Sequence, residues 1–184
     1  MKILVVIDMQ NDFIDGSLGT KEATEIVSRV VNKIKTFDGS VVYTRDTHSE
    51  EYLSTLEGKS LPIKHCIKNT YGWEINKDVF SAGENKNSGK YLKKIYDKKT
   101  FGCVELGNDI EIECAFCDDE EITIELVGLC TDICVISNAL LIKASVPEAT
   151  IVVDGNCCAG VTPESHNRAL EAMKMCQINI VGGK

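Results

Sequence analysis

Three residues far apart in the chain, a cysteine, an aspartate and a lysine, occupy the places where an α/β enzyme keeps reactive groups. Cys134 lies in the run Gly128-Leu129-Cys130-Thr131-Asp132-Ile133-Cys134-Val135-Ile136-Ser137-Asn138. Ile122 to Val127 predicts a buried strand just before it, and Ile133, Ile136, Leu140 and Ala144 repeat at helical spacing just after. Thr131 or Asp132 is placed to cap that helix, which puts the thiol in its first turn. A sulfur there feels the positive end of the helix dipole, which favours thiolate, and nearby backbone N–H groups can receive developing negative charge. Most free cysteines are simply small buried hydrophobes, so position alone does not make Cys134 a nucleophile. Asp8 and Lys98 strengthen the reading, because each also stands at the end of a strand candidate. Asp8 could accept the thiol proton while Lys98 holds the thiolate and orients Asp8. Taken singly, Asp8 reads as a turn cap with Gln10 and Asn11, and Lys98 as a surface lysine like Lys93, Lys94 and Lys99. Three such groups at strand ends read as a site.

A second constellation follows the second strand candidate, in Asp46-Thr47-His48, with Glu57 and His65 downstream. Asp-x-His on extended backbone points both side chains to one side. Two imidazoles and two carboxylates suit zinc, manganese or iron and suit calcium poorly. As an isolated pattern Asp-x-His is common by chance, so the spacing alone supports metal binding only weakly.

These residues need a frame that brings strand ends together. The chain has 184 residues, 43% of them hydrophobic, enough for one well-buried domain spanning residues 1–184. Strand candidates are Lys2–Asp8, Ser40–Arg45, Lys93–Asp97, Glu121–Gly128, Thr150–Asp154 and Gln177–Val181, and helical patterns alternate with them. That alternation predicts an α/β fold of three layers: a mainly parallel, doubly wound sheet of about six strands with helices on both faces. One helix places Ile26, Val27, Val30, Val31 and Ile34 inward behind a Thr20 cap. Another opens at Thr162-Pro163-Glu164 and turns Ala169, Leu170, Met173 and Cys176 inward. In such a sheet, ligands sit beyond the carboxyl ends of the strands, where Asp8, Lys98 and Cys134 fall. Ser49 to Lys90 reads as a long irregular excursion of the kind that carries function or disorder.

A net charge of -8 argues against nucleic acid or anionic membrane as the main partner and leaves small molecules. The first apolar stretch ends at Asp8, too soon for a signal peptide or a membrane span, and nine cysteines without framework spacing fit a reducing compartment. A cytoplasmic protein with free thiols is expected.

Val6-Ile7-Asp8-Met9-Gln10-Asn11-Asp12-Phe13, Thr44-Arg45-Asp46-Thr47-His48, Lys98-Lys99-Thr100-Phe101 and Gly128 to Asn138 resemble, in order, four signature segments of the isochorismatase-like cysteine hydrolases, particularly the nicotinamidase-related branch. The resemblance spans nearly the whole chain. It implies Asp8 as general base, Lys98 as its positive partner and Cys134 as nucleophile. Lys98 is preferred to Lys99 because the family lysine precedes an aromatic residue by three, which Phe101 satisfies. It further implies an oxyanion hole from the backbone N–H groups of Cys130 and Cys134, a cis peptide before Cys130, and Phe13 stacked on the substrate ring. The metal ligands implied are Asp46, His48 and His65, with Glu57 in place of a histidine that many members carry near Ser54. Zinc is the first expectation for the divalent metal, with manganese or iron as alternatives, and its role would be to hold a pyridine nitrogen and so orient the ring. A tryptophan expected just before the last ligand is missing, since Leu61-Pro62-Ile63-Lys64 precede His65. Trp73 follows later.

The activity implied is hydrolysis of nicotinamide to nicotinate and ammonia through a thioester on Cys134, in a homo-oligomer whose partner is a small amide. The alternatives are another small amide or an N-carbamoyl compound, for which the metal loop is not required, and an isochorismatase-type vinyl ether, for which neither Cys134 nor His48 is. A non-catalytic ligand-binding member is the remaining one. Cys114 and Cys117 read as helix packing, Cys157 and Cys158 as small turn residues near the active edge, His166 as exposed, and Asp118-Asp119-Glu120-Glu121 as a solvated turn.

Overall fold

In a computed structural model that describes residues 1–117 and 121–183, the chain forms a six-stranded, all-parallel sheet in the order β3-β2-β1-β4-β5-β6. The strands are β1 (Lys2–Ile7), β2 (Ser40–Asp46), β3 (Ile95–Lys98), β4 (Thr123–Leu129), β5 (Thr150–Ala159) and β6 (Asn179–Val181). The turn expected at 118–121 lies largely outside the described residues.

Burial of both sheet faces explains the apolar strands. In β1, Ile3, Val5 and Ile7 join one core, and Leu4 and Val6 join the other. The first core packs under α5 (Val104–Ala115), α6 (Ile136–Ser145) and α7 (Pro163–Met175) through Leu106, Ile110, Ala139, Ile142, Leu170 and Met173. The second packs under α1 (Asn11–Ile14), α2 (Lys21–Thr36) and α4 (Lys77–Gly83), by way of Phe13, Ile14, Ile26, Val30, Ile34 and Val79. The doubly wound, three-layer expectation therefore holds. Two of the three anticipated caps form: Thr20 accepts from Ala23 N–H at 3.0 Å, and Thr162 makes a capping box with Ser165 ahead of Pro163. At the far end of α7, Cys176 is exposed at the C-cap and does not face inward.

Two larger departures bear on the site. Strand β5 runs five residues past Asp154, through a register shift between Leu126 and Gly128 of β4, so Cys157 and Cys158 are buried strand residues and not turn residues. The 49–90 excursion is also more ordered than expected, holding α3 (Leu56–Ser60), α4 and the 3₁₀ turns Tyr52–Ser54 and Tyr71–Trp73. Among the described residues no helix is long and apolar enough to cross a membrane.

The sheet order reverses between β1 and β4. That switch point opens a crevice at the carboxyl ends of two neighbouring strands, and the candidate residues meet there.

Candidate active site

Each member of the cysteine, aspartate and lysine set is delivered by a different strand end. Asp8 directly follows β1 and adopts a left-handed backbone conformation, φ 44°, which its short polar side chain tolerates. Lys98 is the last residue of β3, and Cys134 lies in the π-helical turn Thr131–Val135 that connects β4 to α6. Beside Asp8, Gly128 has φ 121°, and a Cβ there would fall 2.0 Å from the Ile7 carbonyl oxygen, so only glycine lets β4 pass this close to the end of β1. The Leu129–Cys130 peptide is cis, as the resemblance implied.

Lys98 Nζ lies 2.7 Å from Asp8 Oδ2 and 3.5 Å from Cys134 Sγ, and all three side chains are buried. Asp8 Oδ1 also accepts from the Thr44 hydroxyl at 2.6 Å, while Asp8 N–H donates to the same hydroxyl at 3.2 Å. Lys99, by contrast, is exposed. Burial raises the Asp8 pKa against the lowering pull of Lys98. Burial and the Asp8 charge push the Cys134 thiol well above its ordinary range, with Lys98 again opposing. The helix-dipole expectation of a lowered thiol pKa is thus overturned, because desolvation and a neighbouring carboxylate outweigh a partial charge at a helix end. A resting thiol beside a base of raised pKa is the arrangement that results.

The helix after Cys134 also differs from its sequence pattern. Leu140 and Ala144 are exposed, whereas Cys134, Val135, Asn138, Ala139 and Ile142 face inward. The π turn contains more residues per revolution than an α-helix and so rotates the face that follows it. Nor do Thr131 and Asp132 cap the helix. Cys130 is at the N-cap without a side-chain cap bond; Thr131 instead meets His166, and Asp132 accepts from Val161 N–H.

Beside the triad, Asp46, His48, Glu57 and His65 bring one ligand atom each to within 4.8 Å of one another. His48 Nε2 is 3.0 Å from Asp46 Oδ2 and 3.6 Å from Glu57 Oε1; His65 Nε2 is 3.6 Å and 3.8 Å from the same two atoms. Two ligand atoms about 2.1 Å from one ion stand about 3.0 Å apart at a right angle and about 3.4 Å apart at the tetrahedral angle, so these four separations fit joint ligation of one divalent metal ion, whose coordination can expand to take a further ligand. The second-sphere contact fits too: His65 Nδ1 lies 2.9 Å from the Ile63 carbonyl, which leaves Nε2 as the ligating nitrogen. Asp46 Oδ1, buried without a hydrogen-bond partner among the described residues and 3.6 Å from Lys98 Nζ, links the quartet to the triad.

Between the two groups lies a cavity of about 220 Å³ lined by Phe13, Leu61, Phe101, Cys130, Ile133 and Val161, with Cys134, Asp46, Glu57 and His65 also on its wall. That is below the roughly 300–1,000 Å³ of drug-sized pockets and suits a single small ring. Phe13 packs on His65 at 5.5 Å between ring centroids, one side of it facing the cavity. Trp73 is elsewhere: its indole N–H donates to Thr47 Oγ1 at 2.8 Å and its ring lies under the Arg45 guanidinium.

Three supporting residues escaped the sequence reading. Thr44 shares the strand face of Asp46, two residues away, and that alternation is the signal that could have found it. Buried Gln10 brackets the end of β2, donating to the carbonyls of Asp46 and Trp73 and accepting from Asp46 N–H at 2.7 Å. Asn138, also fully buried, donates to the carbonyls of Phe101 and Cys134 and accepts from Cys103 N–H at 2.9 Å, tying the segment after Lys98 to the cysteine turn. Neither Gln10 nor Asn138 carried a signal that set it apart from an ordinary polar residue.

Fold and site together define a doubly wound α/β protein with a buried thiol, carboxylate and ammonium group at the switch point and a nitrogen and oxygen quartet beside them. The chain belongs to the isochorismatase family, whose isochorismatase domain matches residues 2–182. Within it, the chain is similar to the nicotinamidase of Saccharomyces cerevisiae, at 24% identity over 98% of this chain and 99% of that one. Among solved structures it is similar to the pyrazinamidase of Pyrococcus horikoshii in complex with zinc (25% identity, TM-score 0.73, 98% of each chain). It is likewise similar to the pyrazinamidase/nicotinamidase of Streptococcus mutans (26% identity, TM-score 0.77, 98% of this chain and all of that one).

Proposed function

We propose that this protein is a cysteine-dependent amidohydrolase of the nicotinamidase type, converting nicotinamide and water to nicotinate and ammonia. The observation that carries the proposal is the contact chain Asp8–Lys98–Cys134, whose cysteine reaches the wall of a small apolar cavity that also bears Asp46, Glu57 and His65. The nicotinamidase and pyrazinamidase relatives support the substrate class.

In this reading Asp8 removes the Cys134 proton as sulfur attacks the amide carbonyl carbon. The carbonyl π electrons move onto oxygen, where the backbone N–H groups of Cys130 and Cys134 hold the oxyanion. Asp8 then passes its proton to the departing nitrogen, the C–N bond breaks, and ammonia leaves a thioester on Cys134. A water deprotonated by Asp8 adds to the thioester, and the C–S bond breaks to release the acid and regenerate the thiol. Lys98 keeps one positive charge against Asp8 and the developing thiolate throughout, so no step creates an unpaired buried charge. Phe13 stacks on the ring. Asp46, His48, Glu57 and His65 would hold a zinc ion, which when bound would offer a ligand point for the pyridine nitrogen and so help to orient the ring. The zinc complex of the Pyrococcus horikoshii relative supports that choice of metal.

Residues 1–184 act in this proposal as one hydrolase domain, in the cytoplasm, as the cysteine usage suggests, and as a homo-oligomer, as the family resemblance implies. The test is ammonia release from nicotinamide by the wild-type protein and by Cys134→Ala, with metal content measured on both. Release that depends on the sulfur supports the proposal; release by Cys134→Ala at the wild-type rate refutes it.

A further inference from the structure

His166 lies outside the cysteine, aspartate and lysine set, outside the metal quartet and off the cavity wall, yet it is not the exposed residue its sequence context predicts. It is half-buried on α7, and its Nδ1 lies 2.8 Å from the hydroxyl of Thr131, a residue with no solvent exposure. Burial holds the imidazole pKa below its ordinary value against the opposing charge of Asp132, so the ring is neutral at neutral pH. Thr131 opens the π turn that carries Cys134, one residue after the cis peptide.

The adjacent residue makes a second tie to the same place. The Asp132 carboxylate accepts from Val161 N–H at 3.1 and 3.4 Å, and Val161 lines the cavity. Gly160 completes the corner, because a Cβ there would stand 2.9 Å from His166 Cα. Two consecutive residues of the cysteine turn are therefore fastened to one corner between β5 and α7. That turn needs an outside hold. It lacks a side-chain N-cap, and its π geometry leaves it less regular than the helix it feeds.

We propose that His166 is a positioning residue: through Thr131 it holds the Cys130–Cys134 turn where Sγ reaches Lys98 and Asp8. It touches neither substrate nor reacting atoms. The inference rests on Cys134 being the nucleophile, and it adds a requirement for this histidine that the residues at the strand ends do not supply.

The experiment compares wild type with His166→Ala, His166→Asn, His166→Gln, Thr131→Val and the Ala/Val double variant. Asn keeps a polar atom one bond beyond Cγ, where Nδ1 stands, whereas Gln places its polar atoms one bond further out. With nicotinamide, His166→Ala should lower kcat about tenfold to a hundredfold while KM and metal content stay near wild type, since a displaced nucleophile costs rate and not ground-state binding. His166→Asn should restore most of kcat and His166→Gln should not. The double variant should be no slower than the worse single one, because both changes remove one contact. Crystal structures of His166→Ala and His166→Asn give a readout that needs no turnover: the Sγ–Nζ separation should lengthen from 3.5 Å in the first and return in the second. A lowered melting temperature with unchanged kcat and unchanged separation overturns the inference, as does additive loss in the double variant. If the wild-type protein releases no ammonia from nicotinamide, the substrate reading fails separately, and the Sγ–Nζ separation alone decides the role of His166.

Discussion

The triad and the metal quartet sit side by side but are built in different ways. Asp8, Lys98 and Cys134 come from the ends of β1 and β3 and from the turn after β4, so the parallel sheet sets their separation. In the quartet only Asp46 belongs to the sheet. His48 lies two residues beyond β2, Glu57 is on the short helix α3, and His65 is in the excursion that follows. In the proposed reading the covalent chemistry thus falls on groups anchored at the sheet edge, and the groups that would orient the ring on a part that can be remodelled with few consequences for the core. Asp46 is the hinge between them, facing both histidines with Oδ2 and Lys98 with Oδ1.

If the two regions divide the work in this way, their variants should fail differently. The largest effect is expected from Cys134→Ala, which should lower ammonia release by about 10⁴-fold or more and leave bound metal unchanged, measured by coupled assay and metal analysis. Asp8→Asn should cost about 10²- to 10⁴-fold in kcat. Lys98→Met should in addition destabilise the fold by about 3–5 kcal/mol in urea unfolding, because the buried Asp8 carboxylate loses its partner. Full activity in either would mean that the proton moves by another route.

On the loop side, His65→Ala should lose the metal and slow nicotinamide turnover by about a hundredfold through misplacement of the ring. A small aliphatic amide, with no ring nitrogen to hold, should suffer far less. Equal losses for both amides would dissolve the proposed division.

A pH profile sharpens the triad side. Asp8 must be ionised to take the thiol proton, and burial raises its pKa, so the acid limb of kcat/KM should begin above the ordinary aspartate value of about 3.9. Activity should fall as pH drops through that raised value, with metal retention checked at each point. A profile flat down to pH 4 contradicts the assignment. The smallest effect is expected for Trp73→Phe, which removes the indole bond to Thr47. It should cost about 1 kcal/mol of stability, and kcat for an aliphatic amide should stay at its wild-type value.

The difference between the regions also explains what could be read in advance. A strand end is visible in sequence as an apolar run that stops at a polar residue, so Asp8, Lys98 and Cys134 could be ordered along one sheet edge without coordinates. Asp46 and His48 shared that advantage through strand alternation. Glu57 and His65 had no periodic frame; their residue types and nearness in the chain grouped them with Asp46 and His48 only weakly, and the family resemblance strengthened the grouping. The inward face of α6 was misassigned because a single π turn changes the helical phase, and nothing in Thr131–Val135 announces it. The thiol environment was misjudged for a related reason: a helix end can be inferred from sequence, whereas complete burial beside Asp8 depends on the packing of four strands. His166 looked exposed because its partner, Thr131, is 35 residues away in sequence.

Rapid-quench mass spectrometry of the protein mixed with nicotinamide tests the central claim most directly. A nicotinoyl group on the Cys134 peptide, formed and lost at rates that match ammonia release and absent from Cys134→Ala, is the predicted result. Full ammonia release while Cys134 stays unmodified at every time point, including in an Asp8→Asn variant slowed enough to accumulate intermediates, would contradict it.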